Sequence, residues 1–405
     1  MRRRRTQQLA KRIREMYRIP LFRLGFDDRE RLAINRVLES GWLTIGKENS
    51  MFERRLGQYL NSKYCLTVSS GTAALHLALT AVGICPNDEV IVPSFTFVAT
   101  AHAVKYLNAI PVFGDVVSAK MPVLDPDDVE SRITAKTRAV IVVHYAGYPC
   151  DMDRFAALSE KHNLKLIEDC AHSPGAKWNG KHLGTWGDVG CFSFFSNKNL
   201  STGEGGAILT QSGRLYERVK LLRSHGMTSL SLQRYEGHGF GYDVMETGFN
   251  YRLDEMRAAI GLAQLEKLSS MNEKRRTLME LYRRLLDHSQ IELPFLDYDK
   301  ADGVDHIAPV FLLCDARDLG VSERLKDTVF HCPALYVYDN YPGGTGLSEG
   351  FLENVPTILR GALELVSECS CSQGCPSCVG PAGEEGAGGK QETLAILAAL
   401  ILDTT

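Results

Sequence analysis

Cys191-Phe192-Ser193-Phe194-Phe195-Ser196-Asn197-Lys198-Asn199-Leu200, followed by Gly203-Glu204-Gly205-Gly206, is the stretch around which the chain is organised. Its apolar opening predicts a buried strand over 190–195, its glycines a tight turn, and 207–210 a second strand. Together they bring Lys198 to the mouth of a sheet. An amine at that position is either a solvated end-of-strand lysine or, where water is excluded, a nucleophile of lowered pKa suited to attack a carbonyl.

Outward from this stretch, short apolar runs at 64–68, 89–92, 110–113, 139–144 and 164–167 alternate with helix-length segments such as 72–82, 100–107 and 152–162. Strands that are apolar throughout, joined by helices, predict an α/β fold with a mostly parallel sheet covered on both faces. Ligands on such sheets bind beyond the carboxyl ends of the strands. Three further stretches fall there. Ser69-Ser70-Gly71-Thr72 opens a helix and fits either a simple hydroxyl cap or a phosphate cradle. Pro93-Ser94-Phe95-Thr96-Phe97 sets aromatic rings just past a strand, as core or as a platform for a flat ligand. Glu168-Asp169-Cys170-Ala171-His172 ends an apolar run in paired acids, and a carboxylate at that depth needs a cationic partner. An aldehyde-bearing pyridine phosphate requires an amine, a carboxylate for its ring nitrogen, a phosphate cradle and a stacking ring. All four are present in separate strand-end loops.

Composition bounds the remaining possibilities. The chain has 405 residues, 44% of them hydrophobic and 23% charged, which suits an ordinary globular protein of more than one domain. The balance of 46 basic against 49 acidic residues gives a net charge of −3 and no global field for nucleic acid or membrane. Charge is uneven, with eight basic residues and one acid in 1–20 but five bases and fifteen acids from Ala301 onward. No run is apolar enough to span a bilayer or serve as a secretory signal, so a cytoplasmic protein is expected, with 1–20 either a solvated helical leader or the product of an over-extended start codon. Seven of the eleven cysteines are scattered singly, in the manner of reduced, mostly buried thiols.

The motifs SGWLTIG (40–46), SSGTAALHLAL (69–79), PSFTFVAT (93–100), EDCAHSPGA (168–176), FSFFSNKNLSTGEGGAI (192–208) and GFNYRLDEMRAAIGLAQL (248–265) together resemble the DegT/DnrJ/EryC1/StrS sugar aminotransferases. These are fold-type-I enzymes dependent on pyridoxal phosphate (PLP). The resemblance covers about residues 20–285. It implies that Lys198 carries the cofactor and shuttles a proton, that Asp169 pairs the pyridinium nitrogen, and that His172 meets the ring hydroxyl. Phe97 would stack on the ring, and Gly71, Thr72 and Ser193 would cup the phosphate. Asn250 would reach the phosphate of a partner subunit, which implies a homodimer. Related sugar dehydratases carry histidine in place of the lysine, so Lys198 favours transamination. The implied substrates are an amino acid, commonly glutamate, and a keto-sugar linked to a nucleotide.

The pattern then changes. Residues 291–303 read as a polar join, and 304–382 resemble the zinc-binding C-terminal module of certain DEAD/DEAH-box helicases. Cys369, Cys371, Cys375 and Cys378 form C-x-C-x3-C-x2-C, with Gly374 and Pro376 to turn the chain, and four thiols so spaced can enclose one tetrahedral soft cation. Structural zinc is expected; an iron–sulfur cluster, a redox pair and free thiols are the alternatives. No helicase motor motif is present, and the acidic tail argues against binding nucleic acid. Residues 383–405 read as a Gly/Glu-rich linker and a short apolar helix. The expected organisation is a PLP-binding large domain over 21–290 with a zinc-stapled module where the family's small domain would stand. Two other readings stay open: a fusion that binds PLP and dimerises without turnover, and a chimeric gene.

Overall fold

The computed structural model describes residues 24–229, 241–286, 295, 319–324, 334–339, 360, 363–364, 366–368, 391 and 394. The four tail cysteines, the basic leader, most of the join and most of the C-terminal apolar segment lie outside the described residues.

Two amphipathic helices come first, α1 (Asp28–Ser40) and α2 (Lys47–Tyr59). The start of α1 is fixed by a capping box in which Asp27 accepts from Arg29 N–H and Glu30 reaches back to the Asp27 N–H at 2.8 Å. Its end is Gly41, whose φ of 70° is the left-handed turn that glycine adopts without strain. The βα succession follows as β1 (Tyr64–Val68), α3 (Gly71–Val82), β2 (Glu89–Pro93), α4 (Ala99–Tyr106) and β3 (Ile110–Gly114). A small hairpin of β4 (Val116–Ser118) and β5 (Met121–Leu124) leads to α5 (Pro126–Ser131), β6 (Thr137–Val143), α6 (Met152–His162) and β7 (Lys165–Asp169). A second hairpin of β8 (Lys177–Trp178) and β9 (Lys181–His182) precedes β10 (Val189–Ser193), β11 (Gly206–Thr210), α7 (Gly213–Leu222) and the 32-residue α8 (Glu255–Leu286). Further on, β12 (Leu319–Arg324) pairs antiparallel with β13 (Ala334–Asp339), in a compact unit separate from that of the main sheet.

The main sheet has seven strands in the order β1-β11-β10-β7-β6-β2-β3. All neighbours are parallel except those of β11, which runs against both β1 and β10. The mostly parallel sheet expected from the apolar runs is therefore present. Val90, Val92, Ile141, Ile167 and Val189 are fully buried, as strands clothed on both faces must be. Register sets the carboxyl edge: Asp169 lies opposite Val143 on one side and Cys191 on the other. Gly206 lies between Val68 and Ser193. A side chain at Gly206 would stand 2.6 Å from Phe192 O and 2.7 Å from Ser70 O, so only glycine lets the ends of β1 and β10 approach across β11.

One expected boundary moves. The strand stops at Ser193 rather than continuing to 195, because Ser193 Oγ accepts the Phe195 N–H at 3.4 Å and turns the chain. Lys198 thus sits in a turn past the strand end, its N–H bonded to Phe195 O at 2.9 Å. Phe194 still faces inward, its N–H paired with Gly205 O and its ring 5.5 Å from that of Phe52. That interlock holds the lysine-bearing turn against the core. Among the described residues no helix is long and apolar enough to cross a membrane. The described cysteines are free thiols, four of them buried and Cys85 exposed.

Candidate active site

The carboxyl edge of β7 delivers two acids with opposite fates, because successive strand residues face opposite sides of the sheet. Asp169, 7% exposed, accepts from Thr100 Oγ1 at 3.1 Å and from Ala171 N–H at 3.1 Å. Burial raises its pKa, partly offset by those hydrogen bonds and by the positive charge of Lys198. Its neighbour Glu168 takes the N–H groups of Gly184, Trp186 and Gly187 at 2.7, 2.7 and 2.8 Å. It also meets His144 Nε2 at 3.2 Å. Since His144 Nδ1 accepts the Cys150 N–H, Nε2 carries the proton and donates to Glu168. Glu168, His144 and Cys170 have ligand atoms within 4.8 Å of one another, but the carboxylate is saturated by hydrogen bonds. It staples the 184–187 turn beneath the sheet edge. Of the paired acids, only Asp169 is left for chemistry.

Burial lowers the Lys198 amine from 10.5 to about 8, with the Asp169 charge opposing the shift. An ordinary lysine is almost wholly protonated at pH 8, whereas this one is about half free amine. Raising the pH through 8 removes its proton, so trapping of a small aldehyde at Lys198 in cofactor-free protein is expected to increase with a midpoint near pH 8. Peptide mapping after reduction at a series of pH values checks this; a midpoint above 10 contradicts it.

His172 is half-buried, and the desolvation of its ring together with the Lys198 charge lowers its pKa to about 3. It is therefore neutral through the physiological range. Its Nδ1 accepts the Ala146 N–H at 3.3 Å, which leaves Nε2 as the protonated donor. Ala146 can do this because the 3-10 turn Tyr145–Gly147 holds it at φ 54°, an uncommon conformation for a residue with a side chain. The Tyr145 ring meets His172 edge-on at 6.0 Å and Phe95 at 4.7 Å.

Ser70, Gly71 and Thr72 open α3. The simple capping reading holds for Ser70, whose Oγ accepts the Ala73 N–H at 3.0 Å. A cradle exists beside it as well. A Cβ on Gly71 would lie 2.8 Å from Ser193 Cβ, so the loop after β1 and the end of β10 meet where the helix presents its N-terminal N–H groups. Any side chain at 71 would fill that space. Asn250 is exposed, and the next residue, Tyr251, accepts the Ser69 N–H at 2.8 Å. Phe97 is 73% exposed. Its segment is tied to the site by Thr96 Oγ1, 2.9 Å from Thr100 Oγ1, which in turn holds Asp169.

Lys198, Asp169 and His172 thus share one electrostatic neighbourhood, with Asp169 buried and the other two half-buried, and Gly71 and Ser193 touch at its edge; Phe97 and Asn250 lie on exposed segments. The residues fit PLP. They offer an amine of lowered pKa, a buried carboxylate whose raised pKa calls for a cation, and a cradle open only while residue 71 is glycine. Sequence reasoning missed Thr100 as the partner of Asp169 and Ala146 as that of His172. The first had a signal, a hydroxyl at the opening of α4; the second, a backbone N–H, had none.

Comparison with known proteins decides the family. The model of the DegT/DnrJ/EryC1/StrS aminotransferase family matches residues 26–338. The chain belongs to that family. Its members are PLP-dependent sugar aminotransferases of fold type I, so the chain is read as an enzyme with PLP as its cofactor. The match extends beyond the 20–285 read from motifs, and from 301 it overlaps a second match, to the MrfA Zn-binding domain, over 301–379. All four clustered cysteines fall within this second match, which supports structural zinc. Nothing in it extends to a helicase. GDP-perosamine synthase of Escherichia coli O157:H7 is 40% identical over 267 residues, 66% of this chain and 71% of that protein. A Streptococcus pneumoniae protein assigned as a sugar aminotransferase, solved in its PLP form, superimposes with a TM-score of 0.63 at 28% identity, over 67% of this chain and 72% of that one. A double variant of the dehydratase ColD, with histidine changed to lysine and the adjoining serine to asparagine, matches at a TM-score of 0.60 and 29% identity, over 66% and 74% of the two chains. This aminotransferase family member carries its own Asn197-Lys198 pair in the turn after β10.

Proposed function

We propose that this chain transfers an amino group from an amino acid, glutamate, to the carbonyl carbon of a keto-sugar linked to a nucleoside diphosphate. The observation that carries the reading is an amine, its pKa lowered to about 8, within electrostatic reach of a buried carboxylate on the adjoining strand. When bound, PLP supplies the electron sink that lets an amino-acid Cα–H ionise. Every other task falls to the chain. Asp169 would hold the proton on the ring nitrogen, and the Thr100 hydroxyl keeps its carboxylate turned inward. Lys198 would hold the cofactor and, once released from it, take the proton from the amino-acid Cα, work for which an amine of pKa near the ambient pH is well matched. The neutral His172 would donate Nε2–H to the ring hydroxyl, Gly71, Thr72 and Ser193 would bind the phosphate, and Phe97 would cover the ring face.

Sugar amination rather than dehydration is favoured by the lysine itself, since the Asn197-Lys198 pair repeats the two residue types introduced into the ColD variant. A nucleotide-sugar acceptor is suggested by the relative named GDP-perosamine synthase. We further assign residues 21–290 to the PLP-binding large domain and 304–382 to a zinc-stapled module held by Cys369, Cys371, Cys375 and Cys378. Asn250, which is exposed one residue from the Ser69 contact, would reach a second copy in a homodimer.

The test is the first half-reaction. Glutamate added to the yellow, PLP-loaded protein should shift its visible band to the near ultraviolet and release 2-oxoglutarate; a GDP-linked 4-keto sugar should restore the band. A loaded protein that keeps its spectrum with every amino acid tried contradicts the assignment.

A further inference from the structure

Beyond the residues already given roles, Arg275 on α8 stands out. Its Nη1 is closed off from solvent and has no hydrogen-bond partner, and the side chain takes part in no ion pair among the described residues. Burial alone perturbs it, pulling its pKa below the usual arginine value, with no acid opposing. By contrast, the next residue, Arg276, is paired with Glu273. The side chain as a whole is half-buried, but a guanidinium nitrogen enclosed without a partner costs stability, and a nonpolar side chain of the same length would relieve it. The flanking positions show what packing prefers there: Met271 is half-buried and Met279 is buried.

Its place on the helix says what it faces. Asn272, Arg275, Met279 and Arg283 recur at spacings of three and four, so they share one face of α8. At one end of that face, Asn272 is fully buried; its Nδ2 donates to Pro174 O at 3.0 Å, and its Oδ1 accepts from Asn199 Nδ2 at 3.1 Å. Pro174 lies two residues from His172, and Asn199 adjoins Lys198. At the other end, Arg283 Nη2 donates to Tyr148 Oη at 3.2 Å, just past the turn whose Ala146 holds His172. The face therefore runs along the loops that follow β6 and β7, the carboxyl-edge loops that build the site. Arg275 lies one turn from Asn272, between those anchors.

A guanidinium offers a planar fork that fits a carboxylate or a phosphate in two parallel hydrogen bonds. Both substrates of the proposed reaction bring such an oxyanion, a carboxylate on the amino acid and a diphosphate on the sugar nucleotide. Resting on that reading of the site, we propose that Arg275 is a substrate-binding residue that receives one of these oxyanions. The stability lost by enclosing that one nitrogen unpaired is the stored preference for an anionic ligand, and it marks a position where binding has been favoured over packing.

Full-length, PLP-loaded Arg275→Met and Arg275→Lys test this against wild type. Glutarate and GDP, each titrated by calorimetry, separate the carboxylate source from the diphosphate source. In Arg275→Met one of the two probes should bind about tenfold or more weakly, the loss expected for a hydrogen bond to a charged group. Arg275→Lys should recover part of that loss. Without ligand, Arg275→Met should also melt about 2 °C or more above wild type, because an enclosed guanidinium nitrogen without a partner has been removed. A purely structural arginine would instead lower the melting temperature when replaced. Affinities for both probes within about twofold of wild type would overturn the proposal, as would a melting temperature below wild type or wild-type protein that binds neither probe. A wild type with no visible cofactor band defeats the transaminase reading instead, and that is read before any variant is compared.

Discussion

Lys198→Ala is expected to abolish the visible band of the PLP-loaded protein and to lower transamination by roughly 10²–10⁴-fold, the range that a positioned proton-transfer group contributes. The change removes both the amine that holds the cofactor and the base that moves the substrate proton. The fold should survive it. The turn is held without the side chain, through Lys198 N–H to Phe195 O, Thr202 N–H to Phe194 O and Asn199 Nδ2 to Asn272 Oδ1. Removing an amine whose burial disfavours its charge relieves a desolvation cost, so the melting temperature of the cofactor-free variant should not fall. Single-turnover absorbance with glutamate, read beside thermal melts, separates the outcomes. Turnover within about tenfold of wild type would remove Lys198 from the chemistry.

Asp169→Asn is the second large effect. The amide keeps the size of the side chain; its one oxygen can still accept the Ala171 N–H while its NH2 donates to Thr100 Oγ1, a hydroxyl that can also accept, but the amide cannot balance a protonated ring nitrogen. Breaking a buried charge pair costs about 3–5 kcal/mol, so PLP affinity, turnover or both should fall by roughly 10²–10⁴-fold. The cofactor-free variant should be no less stable than wild type, since burial already disfavours the Asp169 charge. A titration of apo protein with PLP, with loss of affinity below about tenfold, would contradict the role. Glu168→Gln gives the complementary result: the lost charge lies among the N–H groups of Gly184, Trp186 and Gly187, so the damage should appear in stability before it appears in the cofactor spectrum.

These two acids also mark how far the sequence could be read. Strand runs apolar on both faces define the class of the sheet, and the position of Lys198 and Asp169 after such runs puts them at its carboxyl edge. What composition does not carry is which of two adjacent carboxylates turns toward the ligand. That depends on register and on a turn more than ten residues downstream closing over Glu168. Ser70 shows the same limit in reverse, since one hydroxyl satisfies the capping reading while Gly71, its neighbour, opens the cradle. The Ser193 Oγ bond to the Phe195 N–H that ends β10 early was invisible because a strand run and a strand-to-turn run have the same apolar composition. Thr100 reads as a helix opening and Arg275 as one basic residue among several on a long helix; only the fold shows that the first holds Asp169 and the second is unpaired. The zinc cysteines were legible because their spacing is itself the constraint, while their placement lies outside the described residues.

The account depends on one covalent attachment, and it can be observed directly. PLP-loaded wild-type protein is reduced with borohydride, digested, and the peptide bearing the added pyridoxyl mass is sequenced. The account predicts that the label falls on Lys198, in the peptide that carries Ser196-Asn197, and that prior incubation with glutamate prevents it. A label on any other lysine, or protein that takes up no label after saturation with PLP, would contradict it.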